Sequence, residues 1–167
     1  MSDGIAPILD PGAISLSIQS KKKPDIIREL VELLGATGVV QDVEAVTAEV
    51  LAREELATTG IGSGIAIPHC LSAHVTGTSL AFGRKVPGAK FDAVDKQPVQ
   101  LFFLMVGLPG AHNEHLRLLS KLSRYLHDAD TKASLLAAAT AEDILQIFSQ
   151  RESREREGRE SGGIDGG

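Results

Sequence analysis

Residues 99–106 read Val99-Gln100-Leu101-Phe102-Phe103-Leu104-Met105-Val106, an almost unbroken apolar and aromatic run. A strand wetted on one face alternates polar and apolar side chains, whereas this run offers almost nothing to water. It therefore predicts a central strand covered on both faces. The run is about half the ~20 residues that a membrane-spanning helix needs, so direct insertion into a membrane is not expected.

Such a strand requires helices on either side, and the flanking sequence supplies them. Residues 24–34 open on Pro24, which suits a first helical position, and carry Ile27, Leu30, Val31 and Leu34 on one stripe before Gly35 stops the helix. Asp42 can cap a second helix with Val43, Val46, Val50 and Leu51 on one face, ending near Leu56. After Leu108-Pro109-Gly110 a third helix is expected, with Leu118, Leu119, Leu122, Tyr125 and Leu126 together. Asp130 can cap a short alanine-rich helix through Ala139, and Thr140 with Asp143 resembles a capping box for a last helix carrying Ile144, Ile147 and Phe148.

Further strands are expected where Ile14, Leu16 and Ile18 alternate, over Ile65-Ala66-Ile67, and across residues 80–86. From Arg151 the chain reads RESREREGRESGGIDGG, with Ile164 its only large apolar side chain. Ordering such a segment costs conformational entropy with no burial to offset it, so residues 151–167 are expected to be a disordered tail, with a short helical continuation over 151–156 as the alternative.

The 167-residue chain has the size of one domain with a sizeable core. With 17 Lys and Arg against 22 Asp and Glu, its net charge of −5 argues against a general nucleic-acid binder. The lone Cys70 cannot form an internal disulfide and no secretory signal opens the chain, so the expected compartment is a reducing cytoplasm.

Chemistry concentrates in residues 54–70, EELATTGIGSGIAIPHC. Gly60, Gly62 and Gly64 free the backbone for positive φ, and exposed N–H groups from Thr59 to Gly64, Ser63 included, can form an anion-binding concavity; a plain tight turn is the alternative. No Gly-Lys-Ser/Thr follows, and no helix is signalled after the G-x-G-x-G spacing, so neither a Walker loop nor a dinucleotide fingerprint fits. His69 follows Pro68, whose fixed φ aims the imidazole out of the sheet; a neutral imidazole offers a lone pair to phosphorus near pH 7. His115 heads the apolar stripe of the third helix, where the helix dipole disfavours imidazolium and favours a neighbouring anion. Arg53, just before the glycine loop, can bring a planar guanidinium to phosphoryl oxygens or make an ordinary surface ion pair.

These residues resemble the type-2 enzyme IIA domains of the bacterial phosphoenolpyruvate-dependent phosphotransferase system, whose fructose, mannitol and nitrogen-related branches share a signature. Glu54, six residues, Ile61-Gly62, two residues, then Ile65-Ala66-Ile67-Pro68-His69 and the small Cys70 fit it without a gap. The likeness runs from about Leu16 to Phe148, taking in Ala52-Arg53-Glu54-Glu55, residues 91–99 and His115-Leu116. It implies an α/β fold over residues 1–150, a single domain whose central mixed β-sheet is flanked by helices on both faces.

It also implies that His69 accepts phosphate from the histidine-containing phosphocarrier protein and passes it to an enzyme IIB, with His115 and Arg53 in the family's second-histidine and arginine positions. In the nitrogen-related branch, the phosphorylation state of the same histidine would instead govern binding to a regulated target protein. Cys70 stands where the family usually has glycine, and adds bulk beside the nucleophile. Neither cofactor nor metal is expected. His112-x-x-His115 with His69-Cys70 is a poor metal set, because adjacent strand residues point to opposite faces. His74 and His127 belong to no constellation and are expected in solvent.

Overall fold

The computed structural model describes residues 4–164. Six strands form one mixed sheet: β1 (Leu9–Ser15), β2 (Gly60–Gly62), β3 (Ile65–Ala66), β4 (His69–Leu71), β5 (Ser79–Ala89) and β6 (Val99–Gly107). Their order is β1-β5-β6-β3-β2, with β4 also paired to β6. The central strand β6 runs antiparallel to β5 and parallel to both β3 and β4. It is the apolar run that the sequence singled out.

Alternation along β6 divides the interior into two cores. Phe102, Leu104 and Val106 face α1 (Lys23–Ala36) and α2 (Val43–Leu56), joining Ile27, Leu30 and Val50. Leu101, Phe103 and Met105 face α3 (His112–Leu126), α4 (Ala129–Ala137) and α5 (Ala141–Ile164), joining Leu122, Tyr125 and Phe148. The expected α/β architecture, a mixed sheet with helices on both faces, is thus the observed one.

Local chemistry sets most helix ends. Pro24 stands in the first turn of α1, and the Asp42 carboxylate caps α2 by accepting from the Ala45 N–H at 3.0 Å. At the start of α5, Asp143 N–H donates to Thr140 Oγ1 while Asp143 Oδ2 accepts from the Thr140 N–H, a reciprocal box. The cap of α4 is Asp128 rather than Asp130: its carboxylate accepts from Asp130 N–H and Thr131 Oγ1–H, leaving Asp130 inside the first turn.

Two further expectations differ from the structure. The first strand, Leu9–Ser15, begins upstream of the Ile14-Leu16-Ile18 alternation and takes in only Ile14 of it, because its parallel register with β5 begins at Leu9 against Leu80 and is bulged before Ile14. Ile18 still reaches β5, donating its N–H to the Arg84 carbonyl at 2.9 Å. Beyond Gln150 the chain follows the helical alternative rather than the disordered one: α5 continues through 151–156 and on to Ile164, while residues 165–167 lie outside the described residues. Polar side chains, not apolar ones, hold this extension. Buried Glu152 accepts from Ile5 N–H and Ala6 N–H at 2.9 and 3.0 Å, Glu155 accepts from the Tyr125 hydroxyl at 2.6 Å, and Arg151 pairs with Asp128 at 2.8 Å.

Candidate functional site

The chain leaves α2, makes the narrow β2–β3 hairpin and delivers His69 at the start of β4, alongside Met105 of β6. Gly62 and Gly64 adopt φ of +96° and +79° about Ser63 at +56°, so the glycines let the chain reverse within a few residues. At Gly60 a Cβ would meet Ala93 at 2.8 Å, and its absence lets the 91–97 segment lie against the hairpin. Three of the loop amides are committed internally. Thr59 N–H donates to Glu54, Gly60 N–H to Thr58 Oγ1, and Ser63 N–H to Asp95. The expected anion concavity is therefore not formed by Thr59, Gly60 or Ser63, and the alternative of a tight turn describes the hairpin.

His69 is half-buried, and its Nδ1 lies 2.7 Å from the Ile67 carbonyl oxygen. A carbonyl can only accept, so Nδ1 carries the proton and Nε2 carries the lone pair. Burial lowers the proton affinity of the ring; the Arg53 charge acts in the same sense, while the Ile67 carbonyl and Glu54 oppose it. The neutral, Nε2-nucleophilic form is thereby favoured near pH 7. Neighbouring Cys70 is buried, and desolvation, with Glu49 adding to it, pushes its thiol up to about 12, so it stays protonated.

His115 lies 5.6 Å from His69 between ring centroids and is only 4% exposed. Neither of its ring nitrogens has a hydrogen-bond partner. A neutral imidazole always has one N–H, so the site contains a buried donor facing no acceptor. Gly107 leaves room for it: a Cβ there would lie 3.3 Å from His115 Nδ1. No side chain caps the N-terminus of α3, and His115 stands in its first turn, near the positive end of the helix dipole. Arg53 is one turn from the end of α2, with Nη1 3.3 Å from the Ala57 carbonyl. His69 and His115 thus stand side by side, and Arg53 is near enough for its charge to act on the His69 ring.

Burial first, then the proximity of His69 and His112, lowers His115 from the ordinary 6.5 to about 4. Between those values the unfolded chain binds a proton that the folded one refuses, so stability should fall as pH drops from 6.5 towards 4. His69 acts in the same direction. The full His115 contribution is on the order of 3 kcal/mol below pH 4. Urea unfolding at neutral pH and in mild acid measures it, and most of the loss across that window should be absent in His115→Leu, where only His69 remains to titrate in the pair.

Two residues escaped the sequence reading as parts of the site. Glu54 entered only as the acidic position of a motif, and Lys23 not at all. Glu54 is 6% exposed, and Lys23 Nζ sits 2.8 Å from its Oε1. Lys23 belongs to α1, far off in sequence, and no local pattern links the two. His74 and His127 are exposed, as expected. Among the described residues no His, Cys, Asp and Glu cluster is arranged to hold a metal ion, and no helix is long and apolar enough to cross a membrane.

The sequence profile of the phosphoenolpyruvate-dependent sugar phosphotransferase system EIIA 2 family matches residues 7–151. Over 148 residues the chain is 38% identical to the fructose-specific EIIABC component of the PTS system of Bacillus subtilis (strain 168), spanning 89% of this chain and 23% of that protein. Over 141 residues it is 35% identical to the nitrogen regulatory protein of Pseudomonas aeruginosa, spanning 84% of this chain and 91% of that one. The crystal structure of nitrogen regulatory protein IIA-Ntr from Neisseria meningitidis superposes with a TM-score of 0.81 at 33% identity, over 86% of this chain and 98% of that chain.

Proposed function

The chain belongs to the EIIA 2 family of phosphoenolpyruvate-dependent sugar phosphotransferase systems, and on that premise we propose that His69 accepts a phosphoryl group from the histidine-containing phosphocarrier protein and passes it to an enzyme IIB in fructose-type sugar uptake. The observation that carries this reading is the 2.7 Å bond from His69 Nδ1–H to the Ile67 carbonyl. It leaves the Nε2 lone pair as nucleophile. In the transfer, a bond forms between Nε2 and phosphorus as the donor's nitrogen–phosphorus bond breaks, and the donor nitrogen keeps the bonding pair. Nδ1 retains its proton and its bond to Ile67 throughout, so the ring need not turn.

Charge stabilisation is assigned to the groups around that nitrogen. The unpartnered N–H of His115 and the uncapped start of α3 can donate to phosphoryl oxygens, and Arg53 supplies positive charge. His115 assists and does not accept, since it is almost wholly shielded from solvent. Neither nucleotide nor metal is required in this scheme, which relies on positioning and fixed dipoles. A cytoplasmic location is part of the same reading.

The test supplies phosphoenolpyruvate, enzyme I and the phosphocarrier protein and maps the acid-labile label, which should sit on His69. Arg53→Ala should slow transfer roughly ten- to a hundredfold if the guanidinium meets the phosphoryl group, and Arg53→Lys should fall between Ala and parent because it keeps the charge without the fork. Initial rates at matched salt decide this. Transfer by Arg53→Ala within about twofold of the parent would reduce Arg53 to a surface residue.

The likeness to nitrogen regulatory proteins supports a second reading, in which the same phosphorylation of His69 controls binding to a target protein. Capture of an enzyme IIB by the phosphorylated chain favours uptake. Capture of a non-transport protein by only one phosphorylation state favours regulation.

A further inference from the structure

We propose that Glu54 is a positioning residue for His69, acting through Thr59 and the Ile67 backbone; this rests on the reading of His69 as the phosphoryl acceptor. The buried Glu54 carboxylate accepts from Thr59 N–H at 2.8 Å and from Thr59 Oγ1–H at 2.5 Å. Thr59 is therefore held from its backbone and its side chain at once. Its carbonyl in turn accepts from Ile67 N–H at 2.9 Å, and the Ile67 carbonyl accepts from His69 Nδ1–H at 2.7 Å. Each link is a short bond, and together they run from the last turn of α2 across the β2–β3 hairpin to the nucleophile.

The far end of this relay is fixed as well. Lys23 pairs with Glu54 at 2.8 Å, lies 4.7 Å above the Phe91 ring and donates to the Phe91 carbonyl at 3.3 Å. Glu54 cannot move without dragging α1 and the 91–97 segment that covers the hairpin. Stability alone is a poor explanation for the arrangement, because well-packed apolar residues commonly serve a core as well as a buried ion pair does. What the pair adds is direction: it sets where the Thr59 carbonyl lies, hence where the Ile67 backbone and its carbonyl lie, hence which imidazole nitrogen holds the proton. The field of Glu54 also reaches His69, opposing that of Arg53.

The prediction is tested on the full chain by nitrogen NMR of the His69 ring, which reports its tautomer without any phosphoryl donor, together with transfer from phosphorylated phosphocarrier protein. Glu54→Gln should turn the single Nδ1–H tautomer into a mixture and slow acceptance roughly tenfold. Thr59→Val, which keeps the N–H but loses the hydroxyl, should move both readouts the same way, and Thr59→Ser should restore them. Tyr125→Phe is the control. It removes a hydroxyl bonded to Glu155 on the α3–α5 side, so it should lower the melting temperature and leave tautomer and rate alone.

If Glu54→Gln fails to fold, the Thr59 pair decides. Parent-like tautomer and rate in both Glu54→Gln and Thr59→Val would overturn the proposal, as would an equal disturbance in Tyr125→Phe. A parent chain that takes no label, yet shows the tautomer change in Glu54→Gln, would keep the relay and sink the proposed function.

Discussion

Replacing His69 by alanine should abolish phosphoryl acceptance while leaving a folded protein. The two reactive side chains nearest to it are poor substitutes: His115 has its ring shut away from solvent, and Cys70 is held protonated by burial. The fold tolerates the change because β4 is paired to β6 through its backbone, opposite Met105, Val106 and Gly107. The principal loss is the bond to the Ile67 carbonyl, about 1 kcal/mol, plus the packing of a half-buried ring. The check is label from phosphoenolpyruvate through enzyme I and the phosphocarrier protein, beside a circular-dichroism melt of the same sample. An alanine variant labelled as well as the parent would remove His69 from the reaction.

The largest effect on stability is expected at Phe103. It is fully buried at the middle of β6 and meets Phe82 and Phe148 edge-on, at 5.2 and 6.0 Å between centroids. Those three rings join β5, β6 and α5, so truncation opens a cavity that no single element can collapse to fill. Phe103→Ala should cost about 3–5 kcal/mol, a large share of what a domain of this size possesses. Denaturant unfolding measures it, and a cost below about 1 kcal/mol would mean that this face of the sheet repacks freely.

The sequence was most legible where one residue pattern suffices. β6 was visible because seven of the eight residues 99–106 are apolar, and α1, α2 and α3 because their apolar stripes have the right period. β2 and β4 were invisible because three residues carry no period; pairing with β3 and β6 makes them strands. Helix α5 misled for the opposite reason. Its continuation is held by Arg151, Glu152 and Glu155 reaching partners on other elements, and a charge run gives no hint of which partners fold will supply.

The site divides in the same way. His69 and its place after Pro68 could be read directly, and so could His115 at a helix start. The reversal at the glycine loop was legible, but not that the Thr59 and Ser63 amides are taken by Glu54 and Asp95, acceptors assigned only by tertiary structure. The tautomer of His69 and the Lys23–Glu54 pair lie wholly beyond a linear reading. Both depend on groups that the chain brings together only once it has folded.

The pairing of β4 with β6 has a bearing on how the protein is made. During synthesis His69 leaves the ribosome well before residues 99–107, its eventual scaffold, and β5 must be laid down between them. Until that later strand emerges, the histidine is an ordinary exposed imidazole with no preferred tautomer and no shielded neighbour. Because non-local strand pairing is slow to form, the setting of His69 should mature late, and a nascent or truncated chain that ends before β6 should carry the signature residues without their folded arrangement.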